Sequence, residues 1–472
     1  MLGRVLEYDS LKTVLLHLDA NVRFEINHRM PSMSQIERVV PLKILHLSIK
    51  GLSTRVNNTK YRLGIYRHYP SGKVPLPVQD EHRYGGFKQD LDEFGFPVAS
   101  GPPVLLPGDV SYRSENYIPI RYDTEQIEAH NRQRLRRYKL AKEKYDELTA
   151  NGLTVDEYLN QVETIADDDA NHKDDEIQIN LLMTIGQPNW LDWKIEDMET
   201  KLIPFECRQN QSKPPFTCYI QLTITKENSK KIQRFEYNKK LFEAAKQLNE
   251  LLFGCRTFPI YVSNFHFGKK KTGFVHIYRL PIGFSLRATN VDCGDFMLDH
   301  KNFKSIVKNS ENLNTLRIDG RFHRGFDFHN PAILNSKKLV ITTSSRLGVQ
   351  GFTQIARATS SLDLRIENWR EFSQEQYFGL YQSWLSANRP IGARFCVELK
   401  KAGTAEKVLK LIRDRSERTI RYKRFLTVFI NESTKVEVSS IPCAYPQLKA
   451  NEENYVWMSP PRWNLKMRIA KA

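Results

Sequence analysis

Hydrophobic residues recur at helical spacing near the start of the chain. Leu11, Val14, Leu15 and Leu18 fall at i, i+3, i+4 and i+7, which makes one apolar stripe, and Asp9 or Ser10 is placed to cap the helix that carries it. Asp19-Ala20-Asn21 breaks that helix and caps a second one with Val22 and Ile26 on one side. The expected product is a short helical hairpin whose apolar face serves a partner as well as the core. From Pro41 the period changes: Leu42, Ile44, Leu47 and Ile49 predict a strand of irregular alternation, and a second strand follows over 61–69.

Between about 70 and 119 the chain is rich in Pro, Gly and charge (SGKVPLPVQD, RYGGF, GPPVLLPGD), a composition that predicts long loops and only partial order. A helix is expected from Asp123 or Thr124 to about 162, followed by an acidic stretch at 167–176 that can fold against it. Further on, 214–224 reads as a strand. Residues 234–253 read as an amphipathic helix ended by Gly254, with Leu241, Ala244, Ala245, Leu248 and Leu252 on one face, and strands follow at 260–267 and 274–280.

The last third has the clearest regularity. Leu316-x-Ile318, Leu339-x-Ile341 and Leu362-x-Leu364 are three strand cores at a constant interval of 23 residues. That interval lies within the roughly 20 to 29 residues of a leucine-rich repeat, in which each unit adds a strand to a curved parallel sheet. Evenly spaced but unrelated strands are the plainer alternative. The consensus Asn of such a repeat is represented at best by Asn368. A helix beginning at Ser373 carries Tyr377, Leu380, Tyr381 and Trp384 on one face, an aromatic stripe that more often belongs to a core than to a recognition surface. Strands at 394–399 and 425–430, with a helix around 408–412 between them, continue the alternation.

Composition narrows the class. A chain of 472 residues that is 40% hydrophobic can bury the cores of two to four domains. Its net charge of +17 makes polyanions attractive partners without choosing among nucleic acid, acidic protein and anionic lipid. Cys207, Cys218, Cys255, Cys293, Cys396 and Cys443 are dispersed, with no C-x-x-C pair, so reduced thiols in a cytoplasmic or nuclear protein are expected. The sequence offers no convincing secretory signal and no apolar run near the roughly 20 residues of a membrane span, so no membrane partner is expected.

The search for chemistry points away from an enzyme. Phosphate-binding glycine loops, H-E-x-x-H and G-x-S-x-G are absent from the sequence, and no catalytic residue, metal ligand set or cofactor is assigned. His323, Asp327 and His329 form the densest polar group and read as an ordinary surface loop. Asp167, Asp169 and Asn171 begin a calcium-loop pattern that fails at His172 and Gln178. Seven of the thirteen residues from 132 to 144 are Arg or Lys. An alternative nucleic-acid-binding function would use Arg132, Arg134, Arg136, Arg137 and Lys139 with Lys269, Lys270 and Lys271, against the plainer reading of a solvated helix.

Leu6, Leu11, Val14, Leu15, Leu18, Asp19 and Phe24 resemble an F-box. PLKI, YRLGIYR, IQLTI, KKLFEAAKQLNELLFG and PIYV resemble the nematode F-box C proteins with their associated domain of unknown function, over about residues 6–320, and SWLSANRPIG resembles the family's C-terminal region. Two positions depart from the family pattern: Glu7 stands in place of Pro, and HRMPSM lacks the Trp. With the hairpin at 6–40 read as F-box-like, the patterns along the chain predict an α+β protein: an α+β domain at 41–310 with an insertion at about 124–176, and then a leucine-rich-repeat-like β/α region at 311–472. The resemblance implies a non-catalytic substrate-recognition subunit of a cullin-RING ubiquitin ligase. Leu11, Leu15, Leu18, Val22 and Phe24 would dock on a Skp-type adaptor bound to cullin, and the remainder would select an unknown protein target. An F-box-derived interaction protein that no longer binds the adaptor is the alternative.

Overall fold

The structure, a computed structural model, describes residues 8–98, 104–112, 121–152, 188–227, 229–267, 276–293, 300–319, 330–343, 349–368, 372–422, 424–442 and 463–472. In chain order the helices are α1 (Tyr8–His17), α2 (Ala20–Arg29), α3 (Ser34–Arg38), α4 (Leu76–Arg83), α5 (Glu125–Ala150), α6 (Pro188–Gln209), α7 (Leu241–Phe253), α8 (His300–Ile306), α9 (Pro331–Asn335), α10 (Val349–Ala358), α11 (Gln374–Leu385) and α12 (Ala402–Asp414). The first strands are β1 (Lys43–Lys50), β2 (Ser53–Val56), β3 (Thr59–His68), β4 (Val110–Tyr112), β5 (Thr217–Lys226), β6 (Ser229–Glu236), β7 (Ile260–Phe267), β8 (His276–Tyr278) and β9 (Leu286–Asp292). They continue with β10 (Thr315–Asp319), β11 (Lys338–Thr343), β12 (Asp363–Asn368), β13 (Arg394–Leu399), β14 (Thr419–Tyr422), β15 (Phe425–Phe429), β16 (Thr434–Pro442) and β17 (Trp463–Lys471). The class is mixed α+β. No helix among the described residues is long and apolar enough to cross a membrane.

The chain divides into two compact units, one of residues 1–59, 105–115 and 248–472 and the other of 60–104 and 116–247. In the first unit the strand order is β14-β15-β16-β17-β13-β12-β11-β10-β9-β7-β1-β2. The stretch from β1 to β13 is parallel throughout and advances in one direction. Right-handed crossovers that always step the same way lay the described helices between β9 and β13, α8 to α11, on one face of the sheet. The buried row on that face runs Leu47, Phe265, Val291, Leu316, Leu339, Leu364, Phe395, each opposite the next and none more than 2% exposed. Each such side chain contributes roughly 1.5 to 3 kcal/mol by leaving water.

The three Leu-centred strands chosen from the sequence lie side by side, with Leu316 opposite Leu339 and Ile318 opposite Ile341. The third is shifted: Leu364 and Ile366 point inward opposite Leu339 and Ile341, while Leu362 is exposed, so the interval there is 25 residues (364 − 339) and not 23. Ser373 caps α11 through a reciprocal pair of bonds with Gln376, and Tyr377, Leu380, Tyr381 and Trp384 are core.

The second unit holds β3, β5 and β6 in that order, with α4, α5 and α6. The stretch taken for loops contains α4 and returns through Gly85-Gly86 to pair Ile65 with Phe87. Residues 234–236 belong to β6, and the following helix starts at Leu241. The long helix ends at Ala150, with Asn151 as its C-cap, and not at about 162; Thr124 caps its start, its hydroxyl accepting from Ile127 N–H. It packs on α6, which the sequence reading did not anticipate, through Tyr138, Ala141, Leu191 and Met198. The acidic stretch 167–176 and the histidine loop 323–329 lie outside the described residues.

Candidate functional site: the open strand face and the hairpin

The face of the parallel strands opposite the buried row is polar and half-exposed. Parallel sheets are ordinarily covered on both faces and carry near-continuous apolar runs, so alternating charge marks a face that meets water or a partner. Cross-strand neighbours on it run Ser48, His266, Asp292, Arg317, Val340, Arg365. The polar groups are joined: His266 Nδ1 is 3.2 Å from Asp292 Oδ2, and Arg317 Nε is 3.9 Å from the same oxygen. The Arg317 guanidinium then reaches past Val340 to Glu367, which Arg365 Nε also approaches at 3.3 Å. Because Val340 is short and apolar, it leaves room for that reach.

Towards the strand starts, a shallow cleft of about 520 Å³ opens above β1, β7 and β9. Lys43, Tyr261 and Arg287 stand abreast at one register, with Leu45, Ser263 and Thr289 beyond them. The irregular alternation of β1 has its cause here. Asn57, at φ +53°, turns its Oδ1 to accept both Leu45 N–H (2.9 Å) and His46 N–H (3.1 Å), so Leu45 and His46 both face outward. Asn290 donates to Asn264 Oδ1 at 3.0 Å, and Asn264 donates to Leu45 O at 3.2 Å, which holds the three strands at this level.

The N-terminal hairpin forms at one end of this unit. Asp19 caps α2 by accepting from Asn21 N–H and also accepts from Asn57 Nδ2 at 2.6 Å. Asp9 and Ser10, expected as caps of α1, lie inside its first turn. Of the five residues expected to dock a partner, Leu15 (1% exposed) and Phe24 (7%) are buried in the chain's own core, Phe24 edge-on to Phe253. Leu11 and Leu18 are half-buried, and Val22 is exposed. The five therefore do not share one outward face. The outward apolar residues of the hairpin are Tyr8, Val14, Val22 and Met30. Their exposure could not be read from helical spacing, because the predicted stripe is split: Leu15 turns inward while Val14 beside it stays exposed.

The basic helix directs much of its charge to internal partners. Arg132 pairs with Glu128, Arg134 donates to Tyr138 Oη, and Lys139 reaches Glu199 of α6 at 2.8 Å. Arg136 is exposed and Arg137 half-buried, while Lys269, Lys270 and Lys271 lie outside the described residues. The relay from His266 to Arg365 was missed in the sequence because successive cross-strand neighbours in its row are 23 to 26 residues apart (292 − 266 = 26, 340 − 317 = 23) and acquire meaning only in register.

A family model described as a domain of unknown function (DUF3557) matches residues 240–401, the stretch from α7 through β13. No curated protein matches the chain, and no solved structure matches it.

Proposed function

We propose that this chain is a non-catalytic protein-recognition subunit. Its leucine-rich-repeat-like strand array receives a target protein, and its F-box-like hairpin attaches it to a Skp-type adaptor and cullin in a cytoplasmic or nuclear ubiquitin ligase. One observation carries the reading: a parallel sheet whose face opposite the buried row is, among the described residues, polar, half-exposed and continuous from β1 to β12. A broad face built on rigid strands suits a macromolecule better than a small substrate. The adaptor part of the reading rests on the hairpin resemblance and on Val14 (44% exposed) and Val22 (41%), apolar side chains that α1 and α2 hold outward.

The test is co-purification of adaptor and cullin with the full chain and with Val14→Glu/Val22→Glu. Capture by the parent and its loss in a variant of unchanged melting temperature support the reading. Failure of the folded parent to capture the adaptor overturns the ligase assignment, and equal capture by the variant overturns the assigned face.

A further inference from the structure

The cleft above β1, β7 and β9 is chemically one-sided. Asp19, the acidic group on its lining, accepts from Asn57 Nδ2 and Asn21 N–H. Asn309 spends both ends of its amide on Ala288, accepting N–H at 2.9 Å and donating to the carbonyl at 2.7 Å. Elsewhere on the same face Asp292 is held by His266 and Arg317, Glu367 by Arg317 and Arg365, and Asp363 by Lys338. Lys43 and Arg287, in contrast, are exposed and have no hydrogen-bond or ion-pair partner among the described residues. The hydroxyls of Tyr261, Ser263 and Thr289 beside them are likewise unpaired among the described residues. What the cleft has left to offer is two cations and three hydroxyl donors.

We infer that this cleft binds an acidic, extended segment of a partner protein, with carboxylates on Lys43 and Arg287 and an apolar side chain on Tyr261 and Leu45. The inference deepens the protein-recognition reading and rests on it for the occupant being a polypeptide. Charge complementarity selects the acidic segment, since among the described residues of the cleft an incoming carboxylate meets unpaired cations and no unpaired acid. Neighbouring strands are about 4.8 Å apart, so the Lys43 and Arg287 backbones stand roughly 10 Å from each other, a span suited to two groups on one chain. Tyr261 (39% exposed) and Leu45 (57%) lie between and beside the cations, an apolar floor that an inorganic anion would not use. Adding cations to the rim also speeds capture of an acidic partner by a chain of net charge +17.

The experiment measures fluorescence anisotropy of a labelled twelve-residue alternating Glu-Val peptide with the full chain, beside a Lys-Val peptide of equal length. The variants are Lys43→Glu/Arg287→Glu, Tyr261→Ala, and a control of equal charge change on exposed lysines, Lys400→Glu/Lys410→Glu. Affinity for the Glu-Val peptide is expected to fall at least tenfold in the cleft double variant, several-fold in Tyr261→Ala and less than twofold in the control. Equal losses in the cleft and control variants would reduce the effect to net charge and overturn the site. Absence of Glu-Val binding, or equal binding of the Lys-Val peptide, would overturn it as well. Displacement by inorganic phosphate beyond that by chloride at matched ionic strength would make it a small-anion site and overturn the peptide. Adaptor capture is read separately on the same variants. Its retention with lost peptide binding supports the cleft, and its absence in the parent chain fails the ligase reading without touching the cleft.

Discussion

Arg23 and Glu37 face each other with both side chains 1% exposed, Arg23 Nε donating to Glu37 Oε1 at 2.9 Å. Arg23 also donates to the carbonyls of Glu37, Val40 and Pro41, so α2 is tied to the end of α3 and to the entry of β1. Arg256 brings a second guanidinium to the same carboxylate, at 2.9 Å and 3.0 Å. Burial lowers the pKa of both arginines, and Glu37 opposes that shift in each. Breaking a buried pair by removing one partner costs about 3 to 5 kcal/mol, because the other charge stays behind in low dielectric. Glu37→Ala is therefore expected to destabilise the first unit by that amount, read as a lower urea midpoint at pH 7. A loss below about 1 kcal/mol, the range of exposed pairs, would mean that water reaches the site.

A second prediction concerns two sequence motifs that meet. Gly64 of YRLGIYR lies against Gly85-Gly86 of RYGGF, where Ile65 and Phe87 exchange N–H to carbonyl bonds at 2.8 Å and 2.9 Å. A Cβ at Gly64 would stand 2.4 Å from the Gly85 carbonyl oxygen and 2.9 Å from the Gly86 carbonyl carbon, both backbone atoms that cannot swing aside. Gly86 itself holds φ +92°, a conformation that side chains disfavour. Gly64→Ala should cost about 1 to 3 kcal/mol, as overpacking does. Gly72→Ala, also at positive φ but with open space around it, should cost about 1 kcal/mol from backbone conformation alone. Equal losses for the two would refute the close approach.

Much of the fold was legible where a strand-forming run or a helical stripe stands out, as in β7 and β13, which lie at the expected 260–267 and 394–399, and in α11 with its buried aromatic stripe. It was not legible where partners lie far off in sequence. Asn57 causes the break in β1, and a reader of residues 41–50 alone has no sign of it. Leu362 and Leu364 are equally apolar, and only the pairing with β11 selects Leu364 as the inward one. At the candidate site the docking stripe was half legible. Leu15 obeys the period but points to the core, while Lys43, Tyr261 and Arg287 belong to three separate strands and no local pattern joins them.

His82 gives the second unit a pH dependence. Its Nε2 accepts from Arg67 N–H at 3.3 Å, and its ring lies on Tyr66 with centroids 4.2 Å apart. Burial, and then the charges of Arg67 and Arg234, push its pKa from 6.5 down to about 4. The unfolded chain thus takes up a proton near pH 6.5 that the folded chain refuses until about pH 4. Stability from this group is full above pH 6.5 and is lost as pH falls toward 4. Glu81, raised from 4.5 by burial despite Arg67, works in the opposite sense nearer its own ordinary value. His82→Gln retains an acceptor for Arg67 N–H and cannot titrate, so its urea midpoint should change less than that of the parent between pH 7 and pH 5. Parallel curves would show that His82 is not the group responsible.

The Arg317 to Glu367 contact is the longest reach in the charged relay, since it skips the intervening strand at Val340. Both partners are partly open to water, Arg317 at 33% and Glu367 at 17%, so the pair lies between the surface and buried limits. Removing Glu367 leaves Arg317 beside Asp292 and places Arg365 near it with no shared acid. Removing Arg317 leaves Asp292 to His266 and Glu367 to Arg365. The single losses should therefore be unequal, with Glu367→Ala the larger. A double-mutant cycle on Arg317 and Glu367 should return a coupling of about 0.5 to 3 kcal/mol, as for groups in one network. That coupling should shrink between about 0.1 M and 1 M salt, where the screening length falls from roughly 10 Å to 3 Å. A salt-independent coupling would assign the contact to packing over Val340 instead of charge, and a coupling near zero would mean that the relay is not continuous across β11.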